Sequence, residues 1–434
     1  MRQTFIKSVT TALAVAALIG MATASVHAEE KAVTLQQIIT IAKEQNRELK
    51  ALREEKGIGE AGRIRAGLHP NPVLEIDGAT GAMTGSSGEN RLAVGVSQEF
   101  LLGGKRAKRL AVSDAELLRF DNRFKDAERQ LIAEIKTGYY DLLLVEGRRD
   151  LADKSRALNN QLLQIARERF GAGEIAELDV NLARVETARS AGKSIEVERE
   201  LVPLQQRLLA LMGASFSENL KLAAPTETKP IAAQLAELKA QALANRPDLQ
   251  AVAAEKNKGE AEVALAEAER VPNVTAGVGI GWERSVTSLG GLEERKSDYL
   301  IGLKLSVPIP VFDRNQAGIK EALAKKSSAE FRQQFIRQNI EREVESAYWR
   351  LNSAEKSLNI YAKEIIPQLT ENLKLVQEAY RLGEAGILAV IEEQKKFIEV
   401  NDGYLTALYS RNSALAKLEA AMGVELQNVD GGNK

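Results

Sequence analysis

The feature that most constrains this chain is an internal duplication. Arg169-Phe170-Gly171-Ala172-Gly173-Glu174-Ile175 returns 210 residues later as Ala379-Tyr380-Arg381-Leu382-Gly383-Glu384-Ala385, and Leu211-Met212-Gly213 and Ala421-Met422-Gly423 keep the same offset. Pro70-Asn71-Pro72-Val73 recurs as Pro272-Asn273-Val274, and Asn46-Arg47-Glu48-Leu49 as Asn245-Arg246-Pro247-Asp248-Leu249. A repeat of this length implies two copies of one structural unit. The copies are read as residues 29–224 and 225–434, joined near Pro225 to Pro230.

Each unit reads helix, strand, loop, strand, long helix, glycine turn, long helix. Between Gly104 and Val202 there is no proline, and Ala, Leu, Glu, Lys, Arg and Gln dominate, the strongest helix formers. A helix from Lys105 to Phe170 would be roughly 100 Å long at about 1.5 Å per residue, far beyond a globular domain. The helical hairpins are expected at about 104–213 and 315–424. Apolar stripes flank the turns: Leu158, Leu162 and Ile165 before the first and Ile175, Leu178, Leu182 and Val185 after it. Leu369, Leu373, Val376 and Tyr380 precede the second; Ile391, Ile398 and Leu405, spaced by sevens, follow it. Such spacing favours coiled-coil packing. Pro203 and Pro367 are read as a kink or helix break rather than a domain edge.

Period-2 alternation marks four strands, at about 73–80, 91–101, 272–283 and 298–308. Val274, Ala276, Val278, Ile280 and Trp282 alternate with Thr275, Gly277, Gly279 and Gly281; Ile301, Leu303, Leu305 and Val307 alternate with Leu300, Gly302, Lys304 and Ser306. The longer ones match the roughly 9 to 11 residues of a tilted bilayer-crossing strand. A surface sheet resting on a helical domain is the plainer alternative, yet no other segment supplies a core for the apolar faces. Four strands cannot close a barrel, and an open edge in lipid leaves backbone groups unpaired. Several copies must therefore pool strands, and three would give twelve.

Arg2 and Lys7, an apolar stretch from Val9 to Ala22 and Val26-His27-Ala28 read as a secretory signal over residues 1–28. That segment holds two of the 59 basic residues and none of the 60 acidic ones, leaving 57 against 60, or −3. So balanced a charge argues against nucleic acid. No cysteine is present, which excludes disulfides, thiolate metal sites and a lipid-modified N-terminal Cys. No later segment approaches the roughly 18 consecutive apolar residues of a membrane-spanning helix, so a membrane location would require a β-barrel.

The Asn46 and Asn245 entries, the Phe170-x-x-Gly173 and Tyr380-x-x-Gly383 turns and Ser306-Val307-Pro308-Ile309-Pro310-Val311-Phe312-Asp313-Arg314-Asn315 together resemble the TolC-type outer-membrane efflux proteins over nearly all of the mature chain. With Ala66-Gly67-Leu68-His69-Pro70-Asn71-Pro72 and Gly103-Gly104-Lys105-Arg106, the match is nearest the heavy-metal, CzcC-like branch. The resemblance implies a mixed α and β membrane protein: a homotrimer with a twelve-stranded outer-membrane barrel continued by a twelve-helix periplasmic tunnel. It also implies a periplasmic adaptor, an inner-membrane proton-driven pump of the resistance-nodulation-division type, and a large periplasmic part in a Gram-negative cell. The hairpin tips, at Phe170, Gly171, Gly173, Gly383 and Gly386, would dock the adaptor. At the aperture, the family's gate tyrosine falls on Tyr380 and its carboxylate partner on Asp179. Of the two acidic ring positions one falls on Glu392 and the other on Ala389, and an expected arginine falls on Ala385.

Nothing in the chain reads as an enzyme or a cofactor site. His69, the one histidine beyond the signal, has few soft partners for a metal, and a water-filled tunnel passes hydrated ions without coordinating them. Gly277-x-Gly279-x-Gly281 has no following helix for a dinucleotide, and Gly103-Gly104-Lys105-Arg106 lacks the Ser/Thr of a phosphate loop. Glu392-Glu393 and Asp179 are more readily helix-surface acids than a catalytic pair. The remaining alternatives are the same channel serving drug efflux or type I protein secretion, and a periplasmic coiled-coil adaptor or structural protein without a barrel.

Overall fold

Long uninterrupted helices dominate the computed structural model, which describes residues 32–86, 88–214, 220–224, 234–290 and 292–426. The expected signal and the join near Pro225 to Pro230 lie outside these. The first unit runs α1 (Leu35–Gln45), α2 (Arg47–Gly67), β1 (Val73–Thr80), β2 (Asn90–Phe100), α3 (Lys105–Gly171) and α4 (Glu177–Met212). The second runs α5 (Leu235–Asn245), α6 (Pro247–Ala268), β3 (Val274–Leu289), β4 (Leu292–Ser306), α7 (Gln316–Ile360), a π-helical segment (Tyr361–Ile365), α8 (Ile366–Leu382) and α9 (Ile387–Met422). Among the described residues no helix is long and apolar enough to cross a membrane.

The single entry helix expected in each unit is in fact two, broken at the capping residue Asn46 in the first unit and ahead of Pro247 in the second. Asn46 caps α2: its Oδ1 accepts from Leu49 N at 2.9 Å while its Nδ2 donates to Leu211 O at 2.9 Å. Its structural counterpart is Arg246, not Asn245. Arg246 is buried, donates to Ala421 O at 3.1 Å, 210 residues beyond Leu211, and grips Asp248 at 2.5 and 2.8 Å and Glu343 at 2.7 Å.

Two equivalent cores result. In the first, Ile38, Ala42, Ile135, Leu208 and Met212 pack together; in the second, Leu238, Ala242, Val344, Leu418 and Met422 do. These are the same positions displaced by 200, 209 or 210 residues. The displacement drifts informatively. Tyr139-Tyr140 and Tyr348-Trp349, edge-to-face pairs in both units, are 209 apart, whereas the turns are 210 apart. The second unit therefore carries one extra residue between them. An α-helix absorbs one residue as a π-bulge, and the π segment Tyr361–Ile365 lies in this interval, just before Pro367. Gly403 on α9 makes room for it: a Cβ there would stand 2.7 Å from the Tyr361 hydroxyl. Pro203, by contrast, lies inside α4 without interrupting it.

The four strands form one antiparallel sheet in the order β1-β2-β3-β4, so the β2–β3 pairing fuses the two units. Register puts Leu74, Val96, Val278 and Leu303 in one row and Ile76, Val94, Ile280 and Ile301 in the next. These side chains are exposed, Leu303 to 87% and Ile301 to 81%. The opposite face carries Glu75, Gly95, Gly279 and Gly302 in a row. β3 and β4 run longer than the apolar alternation, because the hairpin continues past Trp282 into a charged stretch, Glu294-Arg295-Lys296, that keeps the pairing without the pattern.

Candidate functional site: the paired hairpin tips

The two glycine turns end their helices in the same way. Glu174 N donates to Arg169 O at 3.0 Å and Glu384 N to Ala379 O at 2.8 Å, the long bond that closes a helix C-terminus when a left-handed residue follows. That residue is Gly173 in one turn (φ +78°) and Gly383 in the other (φ +83°). Gly171 is the last residue of α3, and Gly386 caps α9 with extended backbone. Neither has a positive φ, and a Cβ on either would meet open space.

Between the tips lies a shared core drawn from both units: Leu162, Leu163, Ala166, Val180 and Ala183 from the first, Tyr380, Ile387, Val390 and Ile391 from the second. Of the stripe predicted after the first turn, Ile175 and Leu182 pack against this core but the other two do not. Val180 and Ala183 are buried, whereas Leu178 and Val185 face outward, exposed to 66% and 62%. With Phe170, Leu382 and Leu388, also exposed, they make an apolar collar round the tips.

Tyr380 sits in the shared core, only 2% exposed. Its bond to Asp179 does not form: among the described residues the Tyr380 hydroxyl has no hydrogen-bond partner. Burial pushes its phenol up, the Arg169 charge opposes this, and the half-buried Asp179 carboxylate adds to the rise without touching it. What holds Tyr380 is Arg169. The guanidinium lies 5.0 Å over the ring centroid, Nη1 donates to Tyr380 O at 2.7 Å, and Nε donates to Glu174 Oε2 at 2.9 Å. One side chain from the first turn thus ties together its own turn and the second. Sequence reasoning placed the expected arginine on Ala385, in the second unit, and so missed Arg169 in the first. The available signal was that Arg169 precedes Phe170 where Ala379 precedes Tyr380.

Glu392 points to solvent one turn into α9, and its neighbour Glu393 is paired with Lys396 at 3.5 Å. The structure thus brings Tyr380 and Asp179 into one neighbourhood and leaves Glu392 outside it. His69 is exposed between α2 and β1, and among the described residues no three metal-ligating side chains cluster. Gly103 and Gly104 both have positive φ at the strand-to-helix junction, and Lys105 donates to Val271 O at 2.6 Å and Asn273 Oδ1 at 2.5 Å, bracing the two units where sheet meets helices.

Residues 38–214 and 238–424, each unit nearly whole, match the family model described as outer membrane efflux protein. The chain belongs to that family. Among curated relatives it is 24% identical over 399 residues to the cobalt-zinc-cadmium resistance protein CzcC of Cupriavidus metallidurans, covering 90% of each chain. It is 27% identical to the nickel-cobalt-cadmium resistance protein NccC of Alcaligenes xylosoxydans xylosoxydans, covering 78% of this chain and 75% of that one. Its fold is that of CusC, with a TM-score of 0.73 at 18% identity over 90% and 92% of the two chains. It is equally that of the open-state MtrE channel of Neisseria gonorrhoeae, at 0.69 and 21% over 90% and 89%.

Proposed function

We propose that this efflux protein is the exit duct of a tripartite pump, and that its cargo is heavy-metal cations. The observation that carries the duct is the sheet: one face apolar and exposed through its central rows, the other mostly small or polar, with β1 and β4 both open-edged. Such a sheet is stable in a bilayer only when the edges pair with further copies. Three copies reach twelve strands, and the helical hairpins then continue the pore into the periplasm. The metal cargo rests on the likeness to CzcC and NccC, which span most of this chain.

The collar of Phe170, Leu178, Leu382 and Leu388 supports the tips as the surface that meets a periplasmic adaptor, which in turn reaches an inner-membrane proton-driven pump. Asp179, Tyr380 and Glu392 lie near that end and are the candidates for its gate, with no catalytic step at any of them. The test is fractionation and complementation. The mature protein should be recovered with outer membranes as an oligomer that dissociates on heating, and its deletion should sensitise cells to cobalt, zinc or cadmium. Recovery as a soluble periplasmic monomer would overturn the duct, and drug sensitivity with normal metal tolerance would overturn the cargo.

A further inference from the structure

The polar face of the sheet is built around a bare floor. Gly95, Gly279 and Gly302 follow Glu75 in one row, and Gly277 lies between Ser97 and Lys304 in the adjacent one. The middle of the floor cannot be filled: a Cβ on Gly279 would stand 2.9 Å from Val94 O, and one on Gly277 2.9 Å from Ser97 Cβ. Across it Lys304 on β4 reaches Glu75 on β1, donating from Nζ to Oε1 at 2.9 Å and Oε2 at 2.7 Å. Ser97 Oγ donates to the same Oε1 at 2.9 Å. Three strand spacings of about 4.8 Å would separate the two strands by roughly 14 Å on a flat sheet. The contact therefore needs both curvature and a floor without side chains, and the depression it spans is about 200 Å³.

The rest of this face is acidic by register, Arg91 and Lys296 standing against Asp77, Glu99, Glu283, Glu294 and Asp298. Arg91 stands opposite Glu283 in register, and Lys296 lies 3.7 Å from Asp298. Asp77, one row beyond Glu75, has no ion-pair partner among the described residues. An exposed pair such as Glu75–Lys304 contributes little to stability, so its consequence lies in the field it leaves in the space beside it.

We infer that Glu75 and Lys304 set the ion preference of the pore: Glu75 holds the lysine charge against the wall, leaving Asp77 and the other carboxylates of this face to favour cations in transit. The inference rests on the duct reading, in which this face lines the lumen. The experiment is reversal potential in a KCl gradient across planar bilayers, with purified full-length protein. Wild type should favour K⁺ over Cl⁻. Glu75→Gln frees Lys304 and should lower the permeability ratio several-fold, Lys304→Met should raise it, and the double variant should return to within about twofold of wild type. Both single effects should shrink between about 0.1 M and 1 M salt, as the Debye length falls from about 10 to 3 Å. Unchanged ratios in both single variants, with normal conductance, would overturn the inference alone, as would a double variant that follows either single one. A wild-type protein that forms no conducting pores overturns the duct reading and this inference with it.

Discussion

The guanidinium of Arg169 lies 5.0 Å over the ring of Tyr380 and donates to the Tyr380 carbonyl at 2.7 Å, joining residues 211 positions apart. This places the tie between the two hairpin tips on the arginine and on the ring and backbone of the tyrosine. The tyrosine hydroxyl takes no part. A charged hydrogen bond contributes about 1.5–3 kcal/mol and a partly desolvated cation–π contact about 0.5–2. Arg169→Ala should therefore loosen the tips by roughly 2 kcal/mol or more. Single-channel recording should show longer or larger openings, and cells should admit bulky antibiotics. Tyr380→Phe removes only a buried hydroxyl without a partner and should match wild type in both assays, whereas Tyr380→Ala should behave like Arg169→Ala. A leaky Tyr380→Phe would show instead that the hydroxyl finds a partner on assembly.

The turn glycines divide into two kinds. Gly173 and Gly383 have positive φ, where any side chain is strained, so alanine at either should cost about 1 kcal/mol. Gly171 ends a helix with open space around it, so Gly171→Ala should be neutral or stabilising by up to about 1 kcal/mol. Thermal unfolding of the solubilised protein reads the difference. The stability-neutral positions Gly171 and Gly386 are then the clean sites for testing docking: a bulky residue there should weaken adaptor binding without lowering the melting temperature.

How much of this was legible depended on whether a residue's role is set by its near neighbours. Gly173 and Gly383 were readable because a helix must stop before the next begins, and the alternation around Ile280 and Ile301 because one sheet face differs from the other. Arg169 was not, because an arginine at a helix end is ordinary until a ring 211 residues away is placed beneath it. Leu178 and Val185 keep perfect helical spacing yet face outward. Spacing identifies a stripe but not what covers it. The pairing of Asn46 with Asn245 failed by one residue because the shared letters mattered less than the shared task, bonding Leu211 O in one unit and Ala421 O in the other.

That task carries a pH dependence in the second unit. Burial works against the charged form of Asp248, but the two bonds from Arg246 overcome it and hold the carboxyl below its ordinary 3.8. A depressed carboxyl contributes stability above its unfolded value and loses it as pH falls through the folded one. The second-unit core should thus weaken below about pH 3.8, a window set by the direction of this shift. Arg246→Met, which leaves Asp248 buried and unpaired, should lower the melting temperature at pH 7 and narrow the gap to wild type as Asp248 protonates. A constant difference between the two proteins from pH 7 to pH 3 would count against the pair.

The π-bulge offers the sharpest test of the register argument. Tyr361 lies in the segment that absorbs the extra residue of the second unit, and its ring occupies the space where Gly403 lacks a side chain. Forcing volume into that contact should displace the ring and strain the bulge, at the roughly 1–3 kcal/mol typical of overpacking. Gly403→Leu should therefore lower the melting temperature, and Tyr361→Ala in the same chain should recover much of the loss by vacating the space the leucine needs. Coupling of this kind is expected only between residues in contact. Deleting one residue between Ile360 and Ile365 should turn the bulge into regular α-helix and bring the second unit to the 209-residue displacement throughout, leaving the ring of Tyr380 beneath the Arg169 guanidinium. Purely additive effects of the two substitutions, or a deletion that opens the channel as Arg169→Ala does, would count against the bulge as the device that absorbs the extra residue.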